Sequence, residues 1–173
     1  MKLSGGAVVT VIMRTMTIDQ LRRPRSILVL AVFLAVVIGV GSVIGILTAP
    51  GDWYVTLNKP PFNPPNWIFA PVWFALYVCI AVAGWRTSLL DADGTGMKLW
   101  MGQMVLNWLW TPVFFALRLP WPAFVIIVVM LAAILAFIAN RWTRDRLAAW
   151  LFVPYAAWVA FATLLNGSIA WLN

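Results

Sequence analysis

The 173 residues contain no histidine and one cysteine, and only 10% of them are charged. Losing histidine removes the commonest metal ligand and the commonest general base. It also removes the usual proximal haem ligand. The lone Cys79 excludes an internal disulfide, and its place in an apolar run marks it as a small packed or lipid-facing side chain. There are five carboxylates, four of them in polar connectors, so an acid–base active site is hard to assemble. Soluble domains are about a quarter charged and half apolar. Here 64% of residues are hydrophobic, more than a soluble fold of this length can cover, and a multi-span membrane protein is expected. The net charge of +7 does not point to nucleic acid, because the cations lie between apolar runs and form no aromatic-interleaved patch.

Residues 1–26 read as a basic cytoplasmic tail. Its apolar stretch, Ala7–Met13, is too short for a secretory signal and ends in Arg14. Residues 27–173 hold five continuous apolar runs, at about 27–47, 67–86, 98–117, 121–139 and 147–170. Each approaches the ~20 residues that a helix needs to cross a bilayer. Only helices and closed barrels satisfy their backbone in lipid, and continuous runs select helices. The expected fold is an all-α membrane protein, a five-transmembrane-helix bundle. Of the twelve Lys and Arg, all but Lys59 and Arg118 fall on one side, which places the N-terminus inside and the 48–66 loop outside. Arg86 and Lys98, at span ends, are expected to snorkel. Gly41 and Gly45 in the first span have the G-x-x-x-G spacing that lets helices approach, either within the monomer or in a dimer.

Three spans carry inward-facing polar groups. The second aligns Trp73 with Tyr77. The third aligns Gln103, Asn107 and Trp110, and the fifth aligns Tyr155, Trp158, Ala162 and Asn166. Amides are costly in lipid unless they face the bundle interior, so Gln103, Asn107 and Asn166 are expected to converge there. With the aromatic residues beside them they suggest a pocket for a flat apolar ligand with polar edges. The competing reading is plain packing: tryptophans anchor membrane interfaces, and amides bond between helices. Most of the tryptophans lie near span ends, but Trp73, Trp108, Trp110 and Trp158 lie deeper.

Residues 53–77, WYVTLNKPPFNPPNWIFAPVWFALY, concentrate five prolines, three tryptophans and three asparagines around one cation, Lys59. Proline fixes φ and resists helix and sheet, so the 48–66 loop is expected to be a rigid lid over the pocket.

The stretch Trp53–Tyr77 resembles the signature of the tryptophan-rich sensory protein / translocator protein family. GQMVLNWLWTPVFF (Gly102–Phe115) and PYAAWVAFATLLN (Pro154–Asn166) resemble that family's third and fifth helices. The resemblance covers about residues 30–172. It implies a five-helix bundle, often a homodimer, that binds porphyrins such as protoporphyrin IX or haem, with sterols as ligands of mitochondrial members. It implies pocket roles for Tyr54, Trp73, Asn107, Trp110, Trp158 and Ala162. Of the paired aromatics that some bacterial members carry after the Lys-Pro, Pro61 replaces the first and Phe62 keeps the second. The C-terminal segment NGSIAWLN lacks the Tyr and the cation of the animal cholesterol motif. A receptor or regulator that binds porphyrins, with other flat apolar ligands such as sterols also admitted, is thus expected; its partners are membrane lipid, the porphyrin or sterol-like molecule and a second copy of the chain, with no covalently held cofactor and no metal. A porphyrin transporter and a light-dependent porphyrin-degrading protein, working through Trp73 and Trp158, are the alternatives.

Overall fold

A computed structural model describes residues 23–173; the tail expected over 1–26 lies mostly outside them. The described chain is helical, with no strand. Helix α1 (Pro24–Leu47) is opened by proline in its first turn, where the missing N–H costs nothing. A short helix, α2 (Asp52–Thr56), interrupts the following loop, and a 3₁₀ turn at Asn66–Ile68 leads into α3 (Phe69–Asp91). Then come α4 (Thr95–Thr111), α5 (Pro120–Trp142) and α6 (Arg146–Leu172). Four of these segments, at α1, α3, α5 and α6, are long and apolar enough to cross a membrane. The fold is therefore an all-α, multi-pass membrane bundle. Helix α4 has 17 residues and carries the amides Gln103 and Asn107; it runs on into a π turn, Pro112–Ala116.

Around the bundle the order is α1, α3, α6, α5, α4, with α1 attached chiefly through α3. Small residues permit the close approaches. A Cβ at Gly84 of α3 would collide with the Trp100 ring of α4, whose indole N–H donates to the Ile80 carbonyl at 2.9 Å. The main core joins Val37, Leu76, Ile80, Met104, Ile127, Ile134, Phe137, Phe152 and Tyr155 from five helices. Apolar side chains such as Val32, Val36, Met101, Val105 and Val125 point outward, as lipid-facing positions do.

The end of the bundle away from the α1–α3 loop is tied by charge. Arg86 donates from Nε and Nη2 to the two Asp145 oxygens, each at 2.9 Å. Asp145 also caps α6 by accepting from the Ala148 N–H at 3.3 Å. Arg86 is thus a paired group that joins α3 to the start of α6, with its side chain 13% exposed, whereas Lys98 is exposed. Arg141, fully buried, donates to Asn140 and lies 3.7 Å from Asp91. Gly96 makes room for it, since a Cβ there would meet the guanidinium.

Candidate functional site

A cavity of about 740 Å³ lies between the loop-side halves of α1, α3, α4 and α6. Trp73 and Tyr77, one turn apart on α3, form one wall with ring centroids 5.5 Å apart. Trp158 of α6 packs edge-on against Phe69 at 5.7 Å, and Ala162, one turn beyond, leaves space above it. From α4 come Trp110 and Thr111, and from the π turn Phe115. Gly41, Ser42, Gly45 and Ile46 of α1 form the opposite side. A π turn inserts a residue into the helical phase, and such turns recur at functional sites. Here Pro112 has no N–H to give, its carbonyl accepts from Leu117 at 2.9 Å, and Phe115 is brought toward Tyr54, 5.3 Å away.

The loop closes over this arrangement through Tyr54, which is 5% exposed and packs on Phe114 and Phe115. Its hydroxyl donates to Asn63 at 3.2 Å, and Lys59 Nζ sits 4.7 Å over its ring. Lys59 also donates to the Val55 and Leu57 carbonyls, so the loop's only cation is used inside the loop. Burial pushes the Tyr54 phenol above its ordinary pKa, which keeps it a neutral donor. Asn58 and Asn173 exchange hydrogen bonds, holding the loop to the end of α6.

Of the nine residues expected to bind ligand, Tyr54, Trp73, Trp110, Trp158 and Ala162 line the cavity. The three amides are buried as expected, yet they stand behind the wall. Tyr77 donates to Asn107 Oδ1 at 3.4 Å, Asn107 donates to the Tyr155 hydroxyl at 3.0 Å, and that hydroxyl donates to Gln103 at 2.9 Å. Asn166 accepts from the Trp110 indole at 3.0 Å and donates to the Pro120 carbonyl at 2.9 Å, fixing both the tryptophan and the start of α5. Phe62 lies outside the cavity, 49% exposed and edge-on to Phe161. Gly41 and Gly45 line the cavity, a placement that their spacing alone does not indicate. Phe69, Phe74 and Phe115 also line it and were not singled out by sequence; Pro112 was the one trace of the turn that places Phe115.

The lining offers ring faces, a few hydroxyls and the Asn66 amide, without imidazole, thiol or carboxylate. Such a surface suits selection by shape and stacking, with the Tyr54 and Tyr77 phenols as its titratable groups. Among the described residues no cluster of His, Cys, Asp or Glu is arranged to hold a metal.

Comparison with known proteins converges on one family. The model of the TspO/MBR family matches residues 31–172. The tryptophan-rich sensory protein of Cereibacter sphaeroides is 36% identical over 135 residues, 78% of this chain and 85% of that protein. Protein CrtK of Rhodobacter capsulatus is 35% identical over 133 residues, 75% of this chain and 83% of that one. The human translocator protein is 35% identical over 119 residues, covering 66% and 70% respectively.

Proposed function

The chain belongs to the TspO/MBR family, and from that premise we propose that it is a membrane receptor or regulator that binds a porphyrin in the cavity between α1, α3, α4 and α6. The observation that carries this reading is the lining: Trp73, Trp110 and Trp158 with Tyr54 and Tyr77 around about 740 Å³. That volume lies in the ~300–1,000 Å³ range of small-molecule sites. Aromatic faces suit a flat conjugated ring, and each well-placed aromatic contact adds ~0.5–1.5 kcal/mol beyond burial. A porphyrin's edge carboxylates would sit toward the rim, near Asn66 and Thr48. The loop acts as the lid, held down through Tyr54, Asn58 and Lys59. Recognition does not need an axial metal ligand, so protoporphyrin IX and haem both fit this reading.

Five membrane crossings belong to the same proposal. The 17 residues of α4, at ~1.5 Å each, and the five of the π turn reach about 30 Å, the thickness of the hydrocarbon core. The charge bias supports a cytoplasmic N-terminus. A homodimer is proposed with less of α1 available than its glycine spacing suggests, since Gly41 is already against Tyr77. The test of function is a tryptophan-quenching titration of the purified protein in liposomes with protoporphyrin IX, beside a matched sterol. Saturable quenching by the porphyrin, weak or absent with the sterol, is expected. A sterol that binds as well as or better than the porphyrin would overturn the assignment.

A further inference from the structure

The lining residues of α4 and α6 are buried or half-buried, whereas Ser42, Gly45 and Ile46 of α1 and Ala70 and Phe74 of α3 are exposed. The cavity is therefore open along the seam between α1 and α3. Below that opening the seam is closed. Near the far end the Trp85 indole donates to the Ser26 carbonyl at 2.9 Å. Nearer the loop, Gly41 lies so close to Tyr77 that a Cβ would stand 2.5 Å from the ring. One turn further along α1, no atom lies within 4 Å of the Cβ position at Gly45. The two helices touch as far as Gly41 and part above it.

The parted segment lies at the loop-side ends of α1 and α3, two helices long and apolar enough to cross a membrane. Gly45 precedes the last residue of α1, Leu47, by two positions, and Ala70 is the second residue of α3. Its edges are apolar and outward-facing: Ile46 is 76% exposed and Phe74 58%. Water is a poor neighbour for such edges, and lipid chains are a good one. The rim, by contrast, is covered by a loop fastened through Tyr54, Lys59 and Asn58.

We propose that the cavity fills sideways from the leaflet on the loop side, through a gap between α1 and α3 with the Gly41–Tyr77 contact as its sill and Gly45 as its doorway. This rests on the reading of the cavity as a ligand site. The ligand class is an amphiphile with a flat apolar body that dissolves in the bilayer and keeps its polar edge at the headgroups. Such a molecule enters without being transferred through water and without releasing the lid.

Two measurements decide it. In the first, a nitroxide is placed at Gly45→Cys in a Cys79→Ala background, in liposomes, with Gly39→Cys as the lipid-facing reference. Dissolved oxygen should relax both labels more than a water-soluble nickel chelate does. A Gly45 label reached better by the chelate, or by neither, would overturn the gap. In the second, protoporphyrin IX quenching is followed by stopped flow. Gly45→Leu, which meets open space and should fold, is expected to slow association by about tenfold; Gly39→Leu, outside the cavity lining, should change neither rate. Unchanged rates in Gly45→Leu, or a Kd raised through dissociation alone, would place the doorway elsewhere. If the parent protein fails to bind protoporphyrin IX, the porphyrin assignment fails and the nitroxide measurement alone decides the gap.

Discussion

At the residue scale the decisive distinction is between side chains that face the cavity and side chains that hold its wall. Trp73 and Trp158 face it. Trp73→Ala and Trp158→Ala should each weaken protoporphyrin IX binding by about tenfold or more, the loss of ~1.4 kcal/mol or more from stacking and burial. The phenylalanine variants should weaken it mildly. Trp142, paired with Trp150 at the other end of the bundle with centroids 5.5 Å apart, serves as control, and Trp142→Phe should not alter affinity. Quenching titrations on folded variants check this, and two alanine variants that bind like the parent would remove the site. Tyr155 holds the wall. Tyr155→Phe keeps the ring but takes the donor from Gln103 and the acceptor from Asn107, and a buried orphan costs ~1–3 kcal/mol. The expected outcome is a clear drop in thermal stability in detergent with porphyrin affinity retained. A loss of affinity without loss of stability would mean that the amides touch ligand after all. That the amides turn inward was legible in sequence, because lipid gives them no partner. Which partner each finds was not, because a hydroxyl or an indole on another helix satisfies an amide as well as a ligand does.

At the element scale, helices follow from apolar runs, and the structure extends them past the runs wherever a charged residue has a partner. Helix α3 continues through Arg86 to Asp91, and α5 through Arg141 to Trp142. Sequence bias assigns such arginines to the membrane surface; only the fold brings Asp145 to Arg86. That carboxylate has two roles, capping α6 and pairing with a guanidinium that is largely buried. Removing a cap costs ~0.5–2 kcal/mol, and breaking a buried pair from one side ~3–5 kcal/mol. Asp145→Ala should therefore lower unfolding stability by several kcal/mol, while Asp145→Asn, still able to cap, should lose less. Denaturant titration in detergent checks the order, and equal losses would show that the cap contributes nothing. The π turn at Pro112–Ala116 was the least legible element. A proline near the end of an apolar run is equally compatible with a kink or a helix end.

At the scale of the whole molecule, the question is whether α4 crosses the membrane. Length and apolarity alone leave it short, because its inward face carries amides in place of leucines. The ties at the two ends of the bundle favour a crossing. The Arg86–Asp145 pair puts the end of α3 and the start of α6 together at one end. The Asn58–Asn173 bonds put the α1–α3 loop and the end of α6 together at the other. Helix α4 starts at the first end, where Gly96 lies on Arg141, and by Trp110 it has reached Asn166 and the start of α5. A chain with four crossings would leave Arg118 on the side of Asp93 and carry Arg141, Arg144 and Arg146 across with Lys59, which weakens the charge bias and separates Asp145 from Arg86. Single cysteines at Thr56, Asp93, Arg118 and Thr143, all exposed, in a Cys79→Ala background, distinguish the two with a membrane-impermeant maleimide in oriented vesicles. Five crossings require Thr56 and Arg118 to react from one side and Asp93 and Thr143 from the other, the latter pair facing the cytoplasm. Arg118 reacting together with Asp93, and Thr143 together with Thr56, would mean that α4 turns back within the membrane.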